Sequence, residues 1–522
     1  MTKIKGCGFL VGIAVLAITL PLLVACRQTP TVAPATRSAP LSQETTPALT
    51  AALQPTAVAD AAPERTPTQA PERSPTPSPL PVAPPPRGIP HHTLELKLNY
   101  PDRRVDVAHQ VLLVNRTSDN WDEIVFSVPP AHGSGVFLLD EAQVRTTGGW
   151  IRSSFALNGT MLHVDLPAVL PPGAAMKVNL RYTMRAPEIE LTTWLPEGNF
   201  GAGERVLQAG DWHPTVVPYR DGAGWQVWRY YPVGDLTVYP VADYDVTIAT
   251  DPAIVIAAPG QVDDGGDVRR YRLERARSFA FLASPDYRVM DGTVQGLTVR
   301  SYYLPSNAEP AEAAMETALR AIELYSEYYG PYPYPDLGLT IAQNAYYGAM
   351  EYSGLVSLSG YMYQRYAEPV RPSLSFLTAH EIAHQWWYGA VGNDQVNEPW
   401  LDESFAKYSE LLFAERYEPE LTQWWWETNV YRFDPDGDLD RTIYDFATTQ
   451  AYIRQIYGLG ARFLNDLRTT LGDEAFFDFV RAYRQYGEGD LVTGEDFFAV
   501  LRTSTDVDLD PLVGRYFSQT GD

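Results

Sequence analysis

The stretch HEIAHQWWYGAVGNDQVNEPWLDE, His380 to Glu403, decides how the rest of the chain is read. His380 and His384 stand four positions apart, about one helical turn, so both rings leave one face of a helix and can reach a single ion. Glu381 sits beside them, placed to touch a water on that ion rather than the ion itself. A reactive zinc site takes three protein ligands and keeps a fourth position open. Glu403, nineteen positions after His384, supplies the third ligand. The expectation is one Zn2+ held by His380, His384 and Glu403, with Glu381 as general base. Glu410 lies seven residues beyond Glu403, which on a helix returns within about 20° of the same face. A carboxylate there can take the second ring N–H of a ligating histidine and fix its tautomer.

Upstream of this stretch, the pattern of the chain switches between two periods. From His91, alternation dominates: Leu94, Leu96, Leu98 and Tyr100 fall on one side of a strand, followed by Val111 and Leu113. Similar runs recur at 124–128, 161–166, 176–182, 242–249 and 269–273, punctuated by Gly, Pro, Asp and Asn. This predicts an all-β, sandwich-like domain over 91–295. Near Leu297 the period changes. Residues 297–304 read as a last strand, and Met315, Leu319, Ile322, Tyr325 and Tyr329 then recur at helical spacing until Gly330. Short strands at 337–342 and 355–358 bracket Gly348-Ala349-Met350-Glu351-Tyr352, the helix of His380 follows, and another runs from about 401 to 416. Residues 296–522 are therefore expected to form an α+β, mostly helical domain.

The front of the chain has a different texture. Lys3 and Lys5 precede an apolar run from Phe9 to Val24 that ends in Leu23-Val24-Ala25-Cys26, the order of a secretory leader, 1–25. The Leu-Val-Ala-Cys ending resembles a bacterial lipobox, which implies lipidation of Cys26 and a body held on the outer face of a bacterial membrane; an uncleaved transmembrane anchor is the alternative. Cys7 lies inside the leader, so the remaining chain has Cys26 alone and no disulfide. Arg27 to Pro90 holds sixteen prolines and no Phe, Trp or Tyr. With nothing to build a core, 26–90 reads as a tether, roughly 45 Å end to end as a coil and up to about 200 Å if polyproline-like. The formal charge is −24, and from His91 onward the acids outnumber Lys and Arg by about 27. Such a surface repels phosphate backbones and excludes nucleic acid as a partner.

HEIAH, Glu403 and the GAMEY run about thirty residues upstream together resemble the zinc aminopeptidases related to aminopeptidase N, over nearly all of the chain after the tether. Thermolysin-like endopeptidases carry a similar pair but one more residue before the glutamate. The resemblance implies a thermolysin-like catalytic domain and peptide substrates with a free N-terminus. In the family's GxMEN motif the glutamate binds the substrate's α-amine; Glu351 stands there, Gly348, Ala349 and Met350 offer backbone to the substrate, and Tyr352 replaces the asparagine. A tyrosine in a Y-x-K-G motif steadies the oxyanion. Tyr457-Gly458-Leu459-Gly460 matches without the lysine, with Tyr452 as second choice, and Ser404 replaces a common glycine. Gln208, ahead of Gly210-Asp211-Trp212-His213-Pro214, is expected to be the β-domain's contribution to the amine pocket. Relatives often carry a large helical C-terminal domain, so a chain ending at Asp522 implies a more open site. Rival readings are a zinc endopeptidase on the same scaffold and a non-catalytic peptide-binding surface lipoprotein. The oligomeric state stays unassigned.

Overall fold

Alternation becomes strand in the first half because one face of each strand is apolar. Along His91–Asn99, Leu94, Leu96 and Leu98 are buried while Glu95, Lys97 and Asn99 face out. The structure, a computed structural model, describes residues 88–518 except 237, 368 and 369. His91–Asn99 lies inside an eight-stranded sheet ordered Gln261–Asp264, Val268–Ala276, Ala242–Ala249, His91–Asn99, Arg104–Val114, Ala175–Arg185, Phe137–Thr146, Gly149–Arg152. Neighbours are antiparallel except His91–Asn99 with Ala242–Ala249, where Leu94 pairs with Val246 on one side and His109 on the other. Two four-stranded sheets and a two-stranded one, Tyr219–Arg220 with Gly224–Trp225, complete this half. Of the four-stranded pair, one contains Trp121–Ser127 and Met161–Leu170, the other Leu207–Ala209 and Phe281–Ser284. Leu94, Val111, Phe126, Leu180, Tyr244 and Phe281, drawn from the eight-stranded sheet and both four-stranded ones, share one buried apolar cluster, which is the sheet-on-sheet packing of a sandwich.

The second half is built around helices on a five-stranded sheet. The helix Ala308–Tyr329 starts after Asn307 and stops at Gly330, whose φ of 98° suits a residue without Cβ. Met315, Ile322, Tyr325 and Tyr329 are buried at the expected spacing; Leu319 is only partly buried. The sheet runs Arg288–Val294, Leu297–Tyr303, Leu339–Gln343, Leu355–Leu358, Met350–Tyr352. Met350–Tyr352 is its edge, antiparallel to Leu355–Leu358. The helix Val370–Ala383 packs on Ala308–Tyr329, on Met350–Tyr352 and on the helix Trp400–Tyr417, and so joins the edge strand to the second metal-ligand helix. Further helices, Gly460–Leu471, Asp473–Tyr486 and Gly494–Ser504, close the core. Arg277 ties the halves together. Its guanidinium is fully buried and donates to the carbonyls of Tyr239, Tyr388 and Asp490.

Candidate active site

His380 lies in the last turn of Val370–Ala383, and His384 follows one residue past its end with its N–H still donating to the His380 carbonyl. Glu403 projects from the first turn of Trp400–Tyr417. Three atoms converge. His380 Nε2 is 3.2 Å from His384 Nε2 and 3.3 Å from Glu403 Oε2, and His384 Nε2 is 3.5 Å from the same oxygen. Donors about 2.0–2.1 Å from a tetrahedral ion stand about 3.3–3.4 Å from one another, so this spacing fits a single zinc. Both rings are also held from behind. His384 Nδ1 is 2.8 Å from the Trp387 carbonyl, and His380 Nδ1 is 3.0 Å from Glu410 Oε1, which leaves each Nε2 for the ion.

The electrostatics favour positive charge. Burial alone would lower the pKa of His380, but contacts with Glu403 and Glu410 outweigh it and push it up to about 9. His384 is raised too, because Glu351 and Glu403 overcome the same desolvation. Glu403 is held well below the usual carboxylate range: desolvation opposes this, and the two imidazoles prevail. Glu381 is buried, its Oε2 has no hydrogen-bond partner, and desolvation pushes its pKa up to about 8. Glu351, on the edge strand, is also buried and raised by desolvation; Gln395 Nε2 approaches it at 3.4 Å. One oxygen of Glu351, one of Asp402 and a ring nitrogen of His384 lie within 4.8 Å of one another.

Three comparisons place this arrangement among known proteins. Residues 313–516 match the Peptidase family M1 domain. The helical half of the chain thus carries an M1 peptidase domain. It is 28% identical to aminopeptidase N of Lactobacillus helveticus over 297 residues, covering 53% of this chain and 34% of that one. It is 29% identical to human endoplasmic reticulum aminopeptidase 1 over 224 residues, covering 40% of this chain and 23% of the relative. The match thus spans about a third or less of the length of these relatives. Among solved structures, a two-domain M1 zinc metallopeptidase bound to L-tryptophan superposes with a TM-score of 0.60 at 20% identity, over 83% of this chain and 95% of that one. An M1 zinc metallopeptidase from Deinococcus radiodurans gives 0.57 at 19% identity, over 83% and 94%. At such identity the likeness is one of fold: a β-rich N-terminal half followed by a largely helical one.

Beside this M1 peptidase domain's three donors a cavity of about 580 Å³ opens. Its lining includes Glu351, Glu381, Tyr452 and Tyr457, together with Gly348, Ala349 and Met350. Gly348 is needed for the protein's own packing. Its N–H donates to the Trp194 carbonyl at 2.9 Å, a Cβ there would come within 2.5 Å of that oxygen, and its own carbonyl accepts from Asn344 Nδ2. Tyr457 sits in a π-helical segment, Ile453–Leu459, an element that often marks functional sites. Its ring lies nearly parallel to that of His380, centroids 5.7 Å apart, and its hydroxyl contacts Glu403. Tyr452 packs edge-on against Tyr457.

Gln208 does not line the cavity. It is fully buried behind it, donating to the Asn199 carbonyl, because the short strand Leu207–Ala209 turns its side chain inward. From the same run, Asp211 reaches the lining instead; desolvation raises it to about 7 against the hydrogen bond from Asn199. Several other site groups escape a sequence reading. Asp402 accepts from Gln395 Nε2 at 2.6 Å and from the Glu403 N–H, and desolvation raises it to about 7. Lys407, at 3.0 and 2.8 Å, and Trp425 Nε1, at 2.8 Å, grip the expected Glu410. Asp235, raised by burial and by Glu351, Glu403 and Asp402, comes from a distant segment. Lys407 was open to inference, four residues after Glu403 and three before Glu410. Nothing local in the sequence signals Asp235. Cys26 lies outside the described residues.

Proposed function

We propose that this protein is a zinc-dependent aminopeptidase that removes single residues from the free amino end of peptides. One observation carries the reading: the buried Glu351 carboxylate lies within 4.8 Å of a ring nitrogen of His384, inside the same cavity as the ligand triad. A protonated amine held by Glu351 so near the triad places the first peptide bond at the reactive centre, which sets where the chain is cut. His380, His384 and Glu403 would hold the metal. When bound, zinc supplies Lewis acidity, polarising a carbonyl and lowering the pKa of water toward about 7. Glu381 takes a proton from the attacking water on its unpartnered Oε2 and delivers it to the departing amine. The Tyr457 hydroxyl, with Tyr452 behind it, is placed to donate to the developing oxyanion. Glu410, fixed by Lys407 and Trp425, holds the His380 ring in orientation.

Location and domain plan belong to the same proposal. The leader, 1–25, followed by Cys26 supports export and lipid attachment to the outer face of a bacterial membrane, with 26–90 as the tether. The expected β-domain, 91–295, is part of it, with one adjustment that the pairing of Arg288–Val294 with Leu297–Tyr303 of the catalytic sheet supports, a boundary nearer residue 286. Incorporation of labelled fatty acid that Cys26→Ser abolishes tests the anchor. The activity is tested on the zinc-loaded protein with an aminoacyl amide and its N-acetylated form. The free amine is hydrolysed and the blocked one is not; comparable hydrolysis of both would make the protein an endopeptidase, and hydrolysis of neither would leave a binding protein.

A further inference from the structure

Acids dominate the cavity, but its lining also holds two side chains of permanent positive charge, Lys407 and Arg432. They are not equivalent. Lys407 is half-buried and donates to both oxygens of Glu410 and to Asn429 Oδ1. Arg432 is exposed, its guanidinium stands 5.8 Å from the centre of the Phe433 ring, and among the described residues no acid pairs with it. The turn that carries it, Tyr431–Phe433, is nevertheless fixed from behind. Val430 is fully buried and its N–H donates to the Trp426 carbonyl, while the N–H groups of Phe433 and Asp434 close back on the carbonyls of Val430 and Tyr431. The Tyr431 ring stacks on Trp426, centroids 5.5 Å apart. The turn packs on Ile453–Leu459, the segment of Tyr457, whereas Glu351 belongs to the edge strand Met350–Tyr352. Glu351 is thus a buried anion on one wall of the cavity, and Arg432 an exposed, unpaired cation on another.

A short peptide near neutral pH carries an ammonium at one end and a carboxylate at the other. With its amine at the buried Glu351 it enters amine first, so its carboxyl end is left toward the exposed end of the cavity. Little else in the lining attracts an anion there. Lys407 already serves Glu410, and His380 and His384 face the metal position. A guanidinium offers a carboxylate two parallel N–H donors and keeps its charge at any working pH. We infer that Arg432 receives a carboxylate lying downstream of the cut, supplied by the free carboxyl end of a di- or tripeptide or by an acidic side chain in the same place. The inference rests on the aminopeptidase reading above and extends it from the amine end of the substrate to the opposite one.

The test follows leucine release by the zinc-loaded full chain. Leu-Ala and Leu-Ala-Ala are each compared with their C-terminal amides, and Leu-Glu-Ala-amide with Leu-Gln-Ala-amide. The wild type prefers the free acid over the amide by about fivefold in kcat/KM at low salt, and the preference shrinks as salt rises, because Arg432 is exposed. Arg432→Gln removes the preference and Arg432→Lys restores part of it, while zinc content and melting temperature hold. A preference for Glu over Gln that Arg432→Gln removes, with none for the free acid, supports the site with an acidic side chain as its occupant. If neither ratio changes on substitution, or acid and amide slow together, Arg432 is a solvated surface charge and the proposal is overturned. A wild-type protein that releases no leucine from any of these peptides would overturn the aminopeptidase reading itself, a result separable from the first because it appears before any substitution is made.

Discussion

Two clusters of buried imidazoles divide the molecule, and they behave in opposite ways. In the β-half, His92 stacks on His109 and Tyr244 while His213 packs against all three at an angle, with His92 Nδ1 2.9 Å from His109 Nε2. Desolvation lowers all three, His213 to about 4, and mutual repulsion of the rings lowers His92 and His109 further. In the helical half, His380 and His384 are equally buried but are raised, because Glu403, Glu410 and Glu351 surround them. Burial is common to both, so the acids decide the difference. An imidazole packed against rings stays neutral and fills space. One packed against carboxylates is part of a device that attracts a cation. The first cluster's donor atoms do not converge as a metal-ligand group among the described residues, whereas the second's do.

The comparison breaks most sharply at Glu381, which shares the burial of the ligands without being one. Glu381→Gln keeps the shape and the zinc but removes the proton acceptor, so kcat falls by about 10²–10⁴ while metal content by elemental analysis stays at one ion per chain. Loss of zinc in this variant would move Glu381 into the ligand set. Next comes Glu351. Replacing it with Ala leaves the substrate ammonium without its main partner, at a cost of about 2–5 kcal/mol in kcat/KM on free-amine substrates. An unchanged rate on those substrates would show that the protein does not measure from the amino end.

The contrast also explains what could be read in advance. His380, His384, Glu381 and Glu403 were legible because helix periodicity converts sequence spacing directly into shared direction, and Glu410 followed from the same geometry seven residues on. The alternation of Leu94, Leu96 and Leu98 announced the β-half for an equally local reason. Asp235 and Asp211 were not legible, because what brings them to Glu351 is the docking of one half on the other, over more than a hundred residues of chain. Gln208 was misplaced on the same ground: nearness in sequence to Gly210 and Asp211 does not say which face of a three-residue strand meets the cavity. The π-helical register that presents Tyr457 has no spacing signature either.

Glu410 sharpens the comparison further, since it is what distinguishes His380 from a packing histidine on the side away from the ion. Lys407, itself braced by Asn429 Oδ1, and Trp425 both donate to it, so its charge is held in place rather than free to turn. Glu410→Gln keeps the volume and loses the charge, and chelator competition should then show zinc bound about 10–100-fold more weakly, with the ring of His380 less well fixed. Unaltered affinity would mean that Glu403 alone sets the basicity of the pair.

The smallest expected effect comes from the other cluster and has the opposite sign of coupling. His213 has a folded pKa of about 4 against about 6.5 when unfolded, so below pH 6.5 the unfolded chain takes up a proton that the folded chain refuses. Stability from this group is therefore complete above pH 6.5 and is lost as pH falls toward 4. Between pH 6.5 and 5.5 the loss is about 1 kcal/mol for this one imidazole. Acidification also relieves the repulsion within a chain of formal charge −24, which pushes the other way, so the total slope is not diagnostic. The difference between wild type and His213→Phe is: denaturant midpoints at the two pH values should converge in the variant by the equivalent of about 1 kcal/mol, because phenylalanine keeps the ring packing against His92, His109 and Tyr244 and cannot take a proton. Equal shifts in both proteins would mean that His213 already carries a partner able to hold its charge, and the division between space-filling and ion-attracting imidazoles would no longer follow the carboxylates.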